Sequence, residues 1–168
     1  MSKVWLTQSF TSVNCLTQQI KQRQFDQYLQ TWSNSSNFSS KGKSYQLFKE
    51  HLIFENYINI IPENLWTVLL KFRTSNHYLP VETGRWNNTL LEDRRCALCN
   101  NNHIGDEFHY LFICNFVRDS RVQFLHPYYY YTRPSTYKFK ELMNSKRISV
   151  LKKLSKFINV ITNIFKRP

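Results

Sequence analysis

The spacing Cys96-x2-Cys99-x9-His109-x4-Cys114 constrains this chain more than any other feature of it. Three thiolates and an imidazole form a common tetrahedral donor set for zinc. A two-residue gap lets a tight turn bring two sulfurs to one ion, and nine residues suffice to reverse the chain and return a second pair. The His109/Cys114 pair is the difficult one, because residues five apart on an ideal helix differ by about 140° and do not share a face. We therefore expect Asp106 to cap a short helix with His109 at its third position, and Cys114 to sit at or just beyond its end. Asn115 would then cap the next helix, whereas a continuous helix through 106–120 would weaken the site. His103, separated from Cys99 by a three-residue gap, is a rival ligand. His109 is preferred because it pairs with Cys114 at knuckle spacing. The competing reading is a set of buried, reduced cysteines beside a core histidine.

A closed four-donor set leaves no coordination position for water or substrate, so the expected role is structural and the expected cofactor is zinc. Glu107 then has no vacant metal to work with. Other chemistry is poorly represented. Three glycines cannot build a phosphate loop or a nucleotide fingerprint, and no βαβ pattern surrounds the Cys-x-x-Cys pair. Asp93, Asp106 and Glu107 border the cysteine cluster and read as caps or solvated charges. We expect a chain that is not an enzyme. Residues 1–20 lack an apolar core of the secretory kind, and no apolar run is long enough to span a bilayer. The expected location is intracellular, nucleus or cytoplasm, where thiols bind metal more often than they form disulfides. Cys15 stands apart as a core or partly exposed thiol.

Around the cluster the periodicity is helical, and the expected fold is mainly α: a small helical domain with an embedded Cys-Cys-His-Cys zinc module and short irregular segments. Leu16, Ile20, Phe25, Leu29 and Trp32 predict a helix over 15–32, and the Ser/Asn-rich tract 32–43 predicts a loop. A second helix is expected from Ser44 to about Ile58, and a third from Pro62, in its first turn, to about Thr74. The tract 75–88 reads as irregular because of Pro80, Gly84 and paired asparagines. A helix from Phe116 to Leu125 should end at Pro127, followed by an extended or turn segment through Tyr131. Two more helices are expected, over 136–144 and 148–165. The last carries an apolar stripe of Leu151, Leu154, Phe157, Ile158, Ile161 and Phe165, with Lys152, Lys153 and Lys156 largely off it. This divides the chain into an N-terminal segment 1–14, a helical region 15–90, a zinc-knuckle-like module 91–126, and a Tyr-rich segment with basic helices over 127–168.

The formal net charge of +12 suits an anionic partner, nucleic acid first. From Lys138 to the C-terminus nine basic residues face one acid, Glu141. Candidate nucleic-acid-binding residues are Arg94, Arg95, Arg133, Lys138, Lys140, Lys152, Lys153 and Lys156. Arg73 and Arg85 are further members of a possible patch near the knuckle, unless carboxylates such as Glu82, Glu92 and Asp93 claim these arginines. The run from Tyr128 to Tyr131, with Arg133 and Tyr137, suits stacking on unpaired bases. It equally suits alternate tyrosines packed on a core with wet hydroxyls.

The tract Lys71-Phe-Arg-Thr-Ser-Asn-His77, then Leu79-Pro-Val-Glu82, Gly84-Arg-Trp86, the Cys-x2-Cys pair and Ile104-Gly-Asp-Glu-Phe-His-Tyr-Leu-Phe-Ile-Cys114 carry a resemblance. So do Arg133-Pro134 and Lys138-Phe-Lys-Glu-Leu-Met143. Together they resemble the C-terminal region of LINE-type (non-LTR) retrotransposon polyproteins, downstream of the reverse transcriptase domain. The resemblance covers roughly residues 20–165 and is most specific from 65 to 116. It implies a zinc-knuckle-like nucleic-acid-binding element with Cys96, Cys99, His109 and Cys114 as ligands, without the polymerase or endonuclease motifs. The nine-residue gap is longer than in retroviral knuckles. The expected activity is non-catalytic binding of RNA or single-stranded DNA. A protein-interaction module and an inert retroelement remnant are the alternatives.

Overall fold

The computed structural model describes residues 13–39, 41 and 43–166. The expected N-terminal segment 1–14 and Arg167 fall almost wholly outside them. The chain divides after Phe38 into two units, each described by itself. The first is a single helix, α1 (Val13–Phe38), none of whose described residues is buried. It runs past Trp32 to Phe38, through the first half of the tract expected to be a loop. Ser and Asn are weak helix formers rather than breakers, costing about 0.5 kcal/mol each, and neither Gly nor Pro lies between Trp32 and Phe38. An Asn37 side-chain amide donates to Ser33 Oγ at 3.4 Å, one turn back.

The second unit, 39–168, is built from α2 (Lys43–Phe48), α3 (Tyr57–Ile60), α4 (Glu63–Arg73), α5 (Pro80–Trp86), α6 (Arg118–Phe124), α7 (Thr136–Met143) and α8 (Ile148–Phe165). Short 3-10 and π turns join them. Among the described residues there is no strand, only one isolated antiparallel bridge, Arg95 to Ile104. The mainly helical fold is as expected.

The centre is α8. Its apolar stripe is buried as predicted, with Leu154, Phe157, Ile158 and Ile161 fully covered and Phe165 partly so. It packs on α4 and α6, with further contact to α3. Leu69 and Phe72 of α4, Tyr110 and Leu111 of the metal-site segment, and Phe139 and Leu142 of α7 complete one core. Burial of this kind contributes about 1.5–3 kcal/mol per large side chain. The core therefore holds the site's segment rigidly from one side.

Two helix expectations need correcting. The helix predicted over 44–58 is two short pieces, because the chain leaves the helix after Phe48 to bring Glu55 back to cations. Glu55 accepts from Arg73 Nη1 at 3.1 Å and pairs with Lys49, whose ammonium also donates to the Ile53 carbonyl. The tract 75–88 was expected to be irregular and instead contains α5. Pro80 opens that helix, where its missing N–H costs nothing. Gly84 is tolerated inside α5 because a side chain there would collide with Arg94, with an added Cβ only 2.5 Å from Arg94 Cγ. Among the described residues no helix is long and apolar enough to cross a membrane.

Candidate metal centre

The first ligand pair rises from a small ribbon. The Cys96 N–H donates to the His103 carbonyl at 2.9 Å and the Gly105 N–H to Arg94 at 2.8 Å, so the chain reverses between the two pairs. Asn102, with φ of 58°, takes the left-handed conformation that Asn tolerates at such a reversal. α5 closes over the ribbon: the Val81 N–H donates to the Gly105 carbonyl at 3.1 Å. A Cβ on Gly105 would lie 2.8 Å from Pro80 Cγ, so only glycine fits this contact.

The second pair comes from the segment after Gly105. The Asp106 carboxylate accepts from the His109 N–H at 2.8 Å, capping the turn as predicted. From His109 to Ile113 the helix widens to a π turn, closed by the Cys114 N–H donating to the His109 carbonyl at 2.8 Å. That bond spans five residues, and the wider turn brings residue i+5 back over residue i. The x4 spacing is thus accommodated by the π turn, with Cys114 as the residue that ends it. Asn115 does not cap the following helix. It begins a 3-10 turn, Asn115–Val117, that runs into α6 without a side-chain cap.

Together these elements place one donor atom from each of Cys96, Cys99, His109 and Cys114 within 4.8 Å of all the others. Cys96 Sγ lies 3.8 Å from Cys114 Sγ, and Cys99 Sγ lies 3.4 Å from His109 Nε2. Cys96, His109 and Cys114 are buried, and Cys99 is half-buried. The group can hold a metal ion. His103 is outside it: the residue is exposed, with its ring centroid 5.5 Å from that of His109 and tilted 39° to it.

The electrostatics of His109 and Cys96 fit a cation-binding role, and those of Cys114 oppose it. Burial pushes the His109 imidazole down to about 4, helped by the nearby His103 and Arg121, so the ring is neutral as a metal ligand must be. Burial pushes the Cys114 thiol up to about 12, with the neighbouring thiols adding to it. Burial works against the Cys96 thiolate too. There, the polar groups beside the sulfur, the Tyr110 hydroxyl and the Leu98 N–H first among them, outweigh it and lower the thiol. The Leu98 N–H lies 3.4 Å from Cys96 Sγ. His109 Nδ1 has no hydrogen-bond partner among the described residues.

Two supporting side chains escaped the sequence reading. Arg121, buried on α6, donates to the carbonyls of Leu111 (2.6 Å), Cys114 (2.8 Å) and Tyr110 (3.2 Å). Nothing in the local sequence separates it from the exposed Arg118 one turn earlier. The second is Glu107, expected to be solvated and in fact only 2 % exposed. Its carboxylate accepts from Ser44 (2.7 Å), Ser75 (2.8 Å) and His77 Nε2 (2.8 Å), tying α2 and the turn after α4 to the metal segment. The Leu79 N–H donates to His77 Nδ1 at 3.3 Å, which assigns the ring proton to Nε2. Asp106 behaves as a cap, its carboxyl pushed up to about 6 by burial, and Asp93 is exposed as expected.

Burial alone would raise the Glu107 carboxyl, but hydrogen bonds from His77 and Ser44 outweigh it and hold the group below its ordinary value of 4.5. A carboxylate depressed in the fold contributes stability above its unfolded pKa and loses it as pH falls through the folded value. Wild-type protein should therefore lose stability below about pH 4.5 more steeply than Glu107→Gln. Urea midpoints measured across that range for both proteins test this, and parallel acid limbs would contradict it.

The candidate nucleic-acid contacts divide. Arg95, Arg133, Lys140, Lys153 and Lys156 are exposed, and Lys152 is half-exposed. Arg95 also bonds Asn102, and Lys140 lies 4.0 Å from Glu50. Lys138 and Arg94 need correcting. The Lys138 ammonium is buried, lying 5.1 Å from the Tyr128 ring centroid and bonded to Thr132 and the Arg133 carbonyl. Arg94 is half-buried and donates to the carbonyls of Thr89 (2.9 Å) and Val81 (3.1 Å). Arg73 and Arg85 are taken by Glu55 and Glu82. No family model, curated protein or solved structure matches the chain.

Proposed function

We propose that residues 39–168 form a non-catalytic module, cross-linked by a structural zinc ion, that binds RNA or single-stranded DNA. The donor distances support zinc. Bonds of about 2.3 Å to sulfur and about 2.0–2.1 Å to nitrogen set tetrahedral edges of about 3.8 Å between sulfurs and about 3.5 Å between sulfur and nitrogen. Two of the six edges are 3.8 and 3.4 Å, and all lie within 4.8 Å. A disulfide would need about 2.05 Å. With Cys96, Cys99, His109 and Cys114 all engaged, the ion cross-links chain segments rather than activating water.

One observation carries the nucleic-acid part. α8 buries its apolar stripe in the core and leaves Lys153 and Lys156 exposed beside Lys152, with no acid anywhere in the helix. The resemblance to the C-terminal region of non-LTR retrotransposon proteins points the same way. Three lysine–phosphate contacts on a single strand give a log–log salt slope of about −2, or about a 20-fold loss of affinity over a fourfold rise in salt. The test is filter binding of an unstructured oligonucleotide across such a series, with wild type and with Lys152→Glu/Lys153→Glu/Lys156→Glu. The triple variant should lose that slope, and an unchanged slope or no binding at low salt would refute the reading.

A protein partner is the second reading, favoured by an open groove of about 490 Å³ lined in part by the exposed Ile53, Phe54 and Ile60. It predicts that the triple variant keeps its main binding activity.

A further inference from the structure

The Tyr128–Tyr131 run does not alternate between core and solvent. Pro127–Tyr129 forms a 3-10 turn that buries Tyr129, and Tyr130 packs partly against the core. The other rings face outward: Tyr128 is 44 % exposed, Tyr137 69 % and Tyr131 86 %. Lys138 ties the segment that carries Tyr128 and Tyr131 to the helix that carries Tyr137. Its ammonium sits over the Tyr128 ring and bonds Thr132 and the Arg133 carbonyl, folding the 128–133 segment onto the first turn of α7, which carries Tyr137. The Tyr128 hydroxyl donates to Glu141 at 2.9 Å, which fixes that ring against α7 as well.

Exposing three aromatic rings forfeits apolar burial, and for Tyr128 the fold also supplies the contacts that hold the ring in place. The charge around them is positive. Arg133 and Lys140 are exposed on the same segment and helix, Lys146 and Arg147 follow α7, and Glu141 is the one acid from 127 to 147. Flat rings flanked by surplus cations match the chemistry of a single-stranded nucleic acid, whose bases stack while its phosphates meet Arg and Lys. A duplex keeps its bases stacked on one another and offers such rings nothing.

We infer that Tyr128, Tyr131 and Tyr137, with Arg133, form a stacking platform for unpaired bases. This rests on the nucleic-acid reading above and assigns it a strand preference that the α8 lysines, which meet only phosphates, do not supply. The platform explains why Lys138 is spent inside the fold: it is a strut for the rings rather than a phosphate contact.

The experiment uses the full chain and fluorescence anisotropy with a labelled oligo(dT) 20-mer and a duplex of the same length. Tyr131→Ala/Tyr137→Ala removes the two most exposed rings without touching the core, and circular dichroism checks that helicity is kept. Single-strand affinity should fall by about tenfold or more, duplex affinity should stay within twofold, and Tyr131→Phe/Tyr137→Phe should bind as wild type. If wild type binds the single strand and the alanine variant matches it, or loses both ligands equally, the platform is wrong while the nucleic-acid reading stands. If wild type binds neither ligand, the reading fails and the platform with it. A change in oligomeric state on the alanine substitutions would assign the surface to a second copy of the chain and overturn the proposal.

Discussion

Cys114→Ser is expected to abolish stoichiometric metal binding and to unfold the metal segment together with part of the core beneath it. The residue is fully buried and ends the π turn, its N–H closing the bond to His109 and its carbonyl taking a bond from Arg121. A serine oxygen is a poor substitute in a thiolate set, and losing one donor of four removes most of the binding energy. Structural zinc contributes about 10–16 kcal/mol in small zinc-dependent folds, against a total stability of about 5–15 kcal/mol for an ordinary domain. The π turn itself contains Tyr110, Leu111 and Phe112, all buried in the same core as α8. Loosening should therefore spread from the segment 94–117 to α6 and α8, rather than staying within a detachable finger. Metal content of purified protein and amide-exchange protection read the two consequences separately. His109→Ala should lose the metal as well, whereas retention there would make the exposed His103 the ligand. A Cys114→Ser protein that keeps one metal per chain and wild-type protection would remove the site from the fold's energetics.

The cluster of four donors was legible because its spacing is a chemical constraint that survives any detail of the fold. The route by which the spacing works was not. An x4 pair fails on a regular α-helix, and nothing in His109-Tyr-Leu-Phe-Ile announces a π turn. Its cause is tertiary: the turn widens while its side chains pack in the core and Arg121 takes its carbonyls. Long amphipathic helices were legible for the usual reason. The stripe on α8 repeats for about four turns, so its buried face could be named residue by residue. Breaker residues misled in both directions. Pro80 and Gly84 suggested a loop where they start and accommodate α5, and the Ser/Asn tract suggested a loop where α1 continues. Charged side chains were the least legible of all. Glu107, Lys138 and Arg121 look like surface residues in sequence and are buried, because each finds partners far along the chain or in backbone carbonyls that no local pattern encodes.

Arg121 gives the second large effect. It is only 4 % exposed, and among the described residues no carboxylate pairs with it. Its three acceptors are carbonyls of the segment that carries His109 and Cys114. Burial pushes the guanidinium down from its ordinary value, with the Cys114 thiolate opposing that shift, yet an arginine stays charged in a protein. A cation here makes sense beside a loaded site. Three thiolates and a divalent ion leave one net negative charge in a buried region, and Arg121 offsets it while fixing the backbone that aims the ligands. Arg121→Met keeps most of the volume but strands three buried carbonyls and leaves that charge uncompensated. The expected cost is about 3–5 kcal/mol in fold stability, with metal affinity down about 10–100-fold. Arg121→Lys should rescue little, since one ammonium nitrogen cannot reach three carbonyls that a planar fork spans. Arg118→Ala, which removes an exposed arginine from the same helix, should match wild type. Competition against a zinc chelator gives the affinity and urea unfolding gives the stability. An Arg121→Met protein that binds metal as tightly as wild type, whatever its urea midpoint, would reduce Arg121 to a helix-end anchor with no part in the metal centre.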